Sequence, residues 1–269
     1  MGRHIPKPDA AFTLQRAGCE VSADPLIGFQ PELSRLRRAI QQRQSLLVMG
    51  VRGSGKTALL RAVLQDAIYV RYTSVLHDLL IRLARELAAA GHRPLIDRTS
   101  RGRDLDHWLC AQTSVHLRGI LWAAIEEQPI VLVLDDIQGA HVRNYRFLQR
   151  IYHTKGAGVI AATRDYPCLG ALSRLFWDPR MVVSVPPLTQ ADASTLFNRL
   201  VVRLRLGHLN IAEFRKQVLD SAHGNPGEII EMCKLAADPQ YQHGAHVKFA
   251  PLRIDAIVKL GALHVPGRD

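Results

Sequence analysis

The eight residues from Gly50 to Thr57, GVRGSGKT, constrain this chain more than any other stretch. An apolar run, Ser45 to Met49, precedes them, and helical patterning from Thr57 to Gln65 follows. The pattern G-x-x-x-x-G-K-[ST] between a strand and a helix is a phosphate cradle. Gly50, Gly53 and Gly55 allow a tight turn through Val51, Arg52 and Ser54, so that backbone N–H groups point at phosphate oxygens. The helix opening at Lys56, Thr57 and Ala58 adds its positive end. Lys56 would neutralise the β and γ phosphates, and the Thr57 hydroxyl would ligate magnesium.

A second signal lies in PIVLVLDDIQ, Pro129 to Gln138. Its continuous apolar run is that of a strand covered on both faces. It delivers Asp135 and Asp136 at its carboxyl end, the edge where open α/β sheets bind ligands. Asp135 reads as the magnesium-side carboxylate, and Asp136 as the general base that polarises water. ATP and Mg2+ are the ligands this pair of motifs implies, and ATP hydrolysis the reaction.

Between the motifs, 67–72 is a strand expected to separate the loop strand from the aspartate strand. Helical spacing covers 76–90, with Leu76, Leu79, Leu80, Leu83 and Leu87, and one long helix is expected over 104–127. Apolar runs at 158–163 and 181–185 complete a strand and helix alternation, which implies a parallel three-layer α/β sheet. After Pro186 and Pro187 only helices are expected, at 192–206, 211–222 and about 227–237. The expected division is an N-terminal extension 1–24, an α/β domain 25–186, a helical domain 187–238 and an irregular tail 239–269.

Several segments resemble known ATPases. The strand arrangement is similar to the additional-strand P-loop NTPases, including the AAA+ and STAND groups. VIAATRD, Val159 to Asp165, resembles the sensor-1 strand of NB-ARC and archaeal STAND ATPases. VVSVPPLTQADASTLF resembles their strand, linker and first lid helix, and HGNPGEIIEM their Gly-x-Pro lid motif. PLIGFQPELSRL is similar to their N-terminal box, here in the order Ile27-Gly28-Phe29-Gln30. The resemblance implies an additional-strand core with a small C-terminal helical lid domain, and nucleotide held between them. It puts Pro25 to Phe29, with Ile27, near adenine, lets Pro226 contact nucleotide from the lid, and has Thr163 and Arg164 sense the γ phosphate. LSRLFWDPR resembles the box with an arginine finger, which makes Arg174 a finger into a neighbouring subunit and Arg180 its reserve. Two local readings stand beside these. Asn225, Pro226 and Glu228 suit a helix N-cap, first position and capping box, and Arg174 suits a solvated or salt-bridged surface.

Lys and Arg number 35 against 24 acids, a net charge of +11 that fits a polyanionic partner. Arg93, Arg98, Arg101 and Arg103 cluster in a loop with Pro94 and Gly102, offset there only by Asp97. Arg98, Arg101 and Arg103 are the expected non-sequence-specific DNA contacts; pairing with Asp104 and Asp106, or with an acidic protein, is the other reading. The expectation is an ATPase regulator that assembles as a homo-oligomer on DNA in the ATP state, like transposition target-selection ATPases. A STAND-type signalling or defence switch, acting through a protein partner without nucleic acid, is the alternative, and a stand-alone ATPase serving a partner protein encoded nearby is a third reading. No apolar run reaches the roughly 18 to 20 residues of a membrane span, and the scattered cysteines suggest neither zinc nor disulfides, so a soluble, cytoplasmic protein is expected.

Overall fold

The structure is a computed structural model that describes residues 26–64, 67–92 and 104–261. Five parallel strands form one sheet: β1 (Leu46–Met49), β2 (Ile68–Arg71), β3 (Val131–Ile137), β4 (Gly158–Thr163) and β5 (Val182–Ser184). Their spatial order is β2-β3-β4-β1-β5. The expectation that 67–72 separates the loop strand from the aspartate strand is therefore corrected. β4 lies between β1 and β3, and β2 is at the edge. The burial agrees: every residue of β4 is buried, as in a central strand, whereas β2 carries Tyr69, half-buried, and Arg71, exposed.

Alternation along the strands splits the core in two layers. Leu46 and Val48 of β1, Val131 and Val133 of β3, and Ile160 and Ala162 of β4 pack with α1 (Gln30–Gln41) and α2 (Lys56–Arg61). Leu47, Leu132, Leu134, Val159 and Ala161 pack with α3 (Leu76–Ala89), α5 (Ser114–Glu127) and α6 (Val142–His153). The long helix expected over 104–127 is two, α4 (Leu105–Cys110) and α5. The first stops at Cys110 with Ala111 as its cap, and Thr113, extended (ψ 153°), starts the next, its hydroxyl accepting from His116 N at 3.3 Å.

Beyond β5 lie α7 (Gln190–Arg203), α8 (Ile211–Ala222) and α9 (Pro226–Ala236). Their buried Phe197, Phe214 and Ile229 join the same apolar layer as α1 and α2. The region after 238, expected to be irregular, is ordered in its described part. A hairpin of β6 (Gln242–His243) and β7 (His246–Val247) leads into α10 (Phe249–Lys259). Leu252 and Ala256 of α10 are buried in that layer, and Pro251, in the first turn, costs the helix no hydrogen bond. Among the described residues no helix is long and apolar enough to cross a membrane.

Candidate nucleotide site

The loop Gly50–Thr57 joins β1 to α2 at the carboxyl edge of the sheet. Gly53 and Gly55 have φ of +80° and +93°, where a side chain would be strained. At Gly50 the obstacle is space, since a Cβ would stand 2.7 Å from Ser54 Oγ. Ser54 is buried, and its Oγ has no hydrogen-bond partner among the described residues. Lys56 Nζ donates to the carbonyls of Gly50 at 2.7 Å and Val51 at 3.0 Å. Burial lowers the Lys56 pKa from its ordinary value, Asp135 and Asp136 oppose that shift, and Arg164 adds to it.

The aspartates sit where the β3–β4 register slips between Leu134 and Ile137. Asp135 is buried, and its Oδ2 accepts from Thr57 Oγ1 and from Tyr69 OH, each at 2.7 Å. Its Oδ1 accepts from Asp136 N at 2.8 Å. Asp136 takes a left-handed backbone, φ +59°, which costs a non-glycine residue roughly 1 kcal/mol and turns it out of the strand. Arg71 Nη2 and Gln138 Nε2 each donate to its carboxylate at 3.0 Å. Burial pushes the Asp136 pKa up, but the hydrogen bonds from Gln138 and Arg71 and the charges of Arg71 and Arg52 hold it below the usual value. Tyr69 and Arg71 were not singled out as site residues from sequence. Their signal is two polar residues at alternate positions of an otherwise apolar strand, legible only once β2 is known to pair with β3 in the register Arg71↔Asp135.

The start of α9 meets the loop directly. Asn225 Nδ2 donates to Arg52 O at 2.9 Å, and Gly227 N donates to Gly53 O at 2.9 Å. A Cβ on Gly227 would lie 2.6 Å from Gly53 Cα, so only glycine permits this approach. Asn225 Oδ1 also caps α9 through Gly227 N and Glu228 N, so the cap and the loop contact coexist. Buried Pro226 and Phe29 flank Gly55, and Ile27, half-buried, lies two residues before Phe29. Ala58 is exposed on α2.

Thr163 is buried and donates its hydroxyl to Ile137 O at 3.0 Å. The neighbouring Arg164 pairs with Asp165 at 3.1 Å and reaches Cys168 Sγ at 3.6 Å. Arg174 is exposed, its guanidinium 5.7 Å from the Tyr145 ring centroid, and Arg180 pairs with Asp178 at 2.9 Å. Arg98, Arg101 and Arg103 lie outside the described residues, as does Pro25.

The Walker-type ATPase of Pyrococcus abyssi is similar in structure, with a TM-score of 0.57 at 15% identity over 90% of this chain and 76% of that one. A Signal Transduction ATPase with Numerous Domains (STAND) protein with a tetratricopeptide repeat sensor, from Pyrococcus horikoshii, has a TM-score of 0.50 at 18% identity, covering 87% of this chain. This chain spans 32% of that protein's length. Such low identities show a shared fold. No curated protein sequence matches the chain. The sequence profile of the family described as AAA ATPase domain matches residues 25–160, a span that runs from before α1 into β4 and takes in the phosphate loop and both aspartates. By that match the chain belongs to the AAA ATPase domain family.

Proposed function

We propose that this protein is a magnesium-dependent regulatory ATPase. The observation that carries the reading is the 2.7 Å contact of Thr57 Oγ1 with Asp135 Oδ2, with Lys56 and Asp136 as their chain neighbours. Those two oxygens suit a hard divalent cation, and the unpartnered Ser54 Oγ suits a phosphate oxygen. Magnesium held there supplies neutralisation of phosphate charge. Lys56 exchanges its carbonyl partners for phosphate oxygens, and Asp136, ionised, orients water and accepts its proton. Thr163 and Arg164 follow the γ phosphate, while Ile27 and Pro226 border the base.

The test separates binding from turnover. Lys56→Ala should abolish tight ATP binding, whereas Asp136→Asn should keep it and lose about 100-fold or more in turnover. Equal loss of affinity in both variants would overturn the assignment of roles.

The coupled task in this reading is assembly as a homo-oligomer on DNA in the ATP state, supported by the excess of 35 basic over 24 acidic residues. Solution mass with and without ATP and duplex DNA tests it. Assembly that needs ATP but ignores DNA would favour a signalling switch acting on a protein partner.

A further inference from the structure

A second concave site lies at the carboxyl edge of β2 and β3, remote in sheet order from the loop after β1. Its volume is about 760 Å³, and none of its lining residues belongs to the phosphate loop, the aspartate pair or α9. Arg118, Arg143, Arg146, His77 and His141 line it, and no carboxylate does. Among the described residues, none of these three arginines is in an ion pair. Uncompensated guanidinium groups gathered around one cavity favour an anionic occupant.

The scaffold strengthens that field. The N-termini of α3, α5 and α6, helices of 14, 14 and 12 residues, all contribute to the lining. Each directs a partial positive charge toward its first turn, and at α5 Thr113 already accepts from His116 N. No side chain caps α3. At α6 the cap is His141, whose Nδ1 accepts from Arg143 N at 3.2 Å, which leaves Nε2 as the protonated donor.

Buried unpaired atoms mark the same place. Asn144 is 0% exposed and lines the cavity, and its Nδ2 ties down the β2–α3 turn through Tyr72 OH, Thr73 O and Ser74 O. Nε of Arg118, a donor that suits a phosphate oxygen, is buried without a partner among the described residues, and Asn144 Oδ1, also unpartnered, is an acceptor that suits an N–H or O–H of the ligand's organic part. Native proteins rarely leave such groups unpaired. Val75, Leu76 and Val115 supply an apolar wall, and the volume falls in the range of about 300–1,000 Å³ typical of organic ligands.

We propose that this cavity binds a phosphate-bearing ligand of nucleotide size, independently of the Gly50–Thr57 loop. Arg118, Arg143 and Arg146 take the phosphates, and Val75 and Val115 contact the organic part. Phosphoryl groups fit better than one carboxylate because several forked donors and helix ends converge on a small volume, which calls for several negative charges close together. A free nucleotide and the 5′-phosphorylated end of a single strand share this chemistry.

Calorimetry on the full chain tests the proposal, with the phosphate loop first saturated by a non-hydrolysable ATP analogue and magnesium. The probes are inorganic pyrophosphate, adenosine 3′,5′-bisphosphate and a 5′-phosphorylated oligonucleotide. A parallel series uses Lys56→Ala, in which the second site should persist. The expected result is one additional saturable site per chain. Arg143→Ala with Arg146→Ala, both at exposed positions, should weaken it by about tenfold or more while affinity for the ATP analogue is unchanged. Tighter binding of the bisphosphate than of the oligonucleotide assigns the source to a small molecule, and the reverse order to a strand end. Absence of binding by all three probes at millimolar concentration, or binding that the double variant leaves unaltered, would overturn the proposal. So would an Asp/Glu-rich peptide that occupies the site when none of the phosphate probes does.

Discussion

The Tyr69 hydroxyl reaches the carboxylate of Asp135 across the β2–β3 pair, donating at 2.7 Å to the same oxygen that receives Thr57. An edge-strand phenol thus fixes the carboxylate assigned to the metal. Tyr69→Phe should lower stability by about 1.5–3 kcal/mol, the size of one charge-assisted hydrogen bond, and raise the magnesium concentration needed for half-maximal turnover. Burial first, then the bond to Asp135, raises the Tyr69 pKa well above its ordinary value. A raised folded-state pKa gives stability that is complete below the unfolded value, about 10, and is lost as pH climbs past it. The gap between the two proteins in chemical denaturation should therefore shrink above about pH 10.

Arg71 acts on the other aspartate. Its contact with Asp136 helps hold that carboxyl's pKa down, so Arg71→Ala should let it rise toward the ordinary value. In the proposed mechanism Asp136 must be ionised to orient water. The acid limb of the pH–rate profile should move to higher pH, modestly because the pair is exposed to solvent. An unmoved limb would mean that Arg71 does not set the ionisation of Asp136.

Arg174 offers a test of action between subunits. Among the described residues Arg174→Ala gives up an exposed contact with Tyr145, so stability should change by no more than about 1 kcal/mol and nucleotide binding by the monomer should persist. Turnover should fall. Mixing Arg174→Ala with Asp136→Asn subunits should restore activity, because an intact arginine and an intact aspartate can meet at one interface. Mixed assemblies that stay inactive at every ratio would remove Arg174 from any role in trans.

For the DNA-linked role, the measurement is a salt titration of duplex binding. Replacing Arg98, Arg101 and Arg103 by Ala should reduce the slope of log affinity against log salt by about 2–3 units if all contact phosphate. ATP hydrolysis without DNA should be nearly unchanged. Wild-type protein that shows no salt-sensitive binding to DNA or RNA would end this reading.

The phosphate loop and aspartate pair were legible because their chemistry dictates short, ordered spacings, and β3 and β4 because both of their faces are buried. The place of β2 was not. An apolar run of five or six residues fits an edge or a centre equally, and only pairing reveals that Tyr69 and Arg71 face the aspartates. The break at Thr113 was hidden by apolar spacing that continues across it, and α10 by a proline that a first helical turn tolerates. The cavity lined by Arg118, Arg143 and Arg146 draws on three helices far apart in sequence, so no local pattern announces it.

The contact between Gly227 N and Gly53 O runs from main chain to main chain, and Asn225 adds a tether to Arg52 O. The main-chain bond cannot be re-formed by side-chain rotation, and together the two fix the first turn of α9 against the loop itself. A rigid-body swing of α7 to α10 away from the sheet cannot begin without releasing both carbonyls, and the conformation of the phosphate cradle is then free to change. Displacement of α9 consequently removes a restraint on the loop. In the proposed function, a force or partner that moves the C-terminal helices would act on the phosphate loop without touching the loop itself.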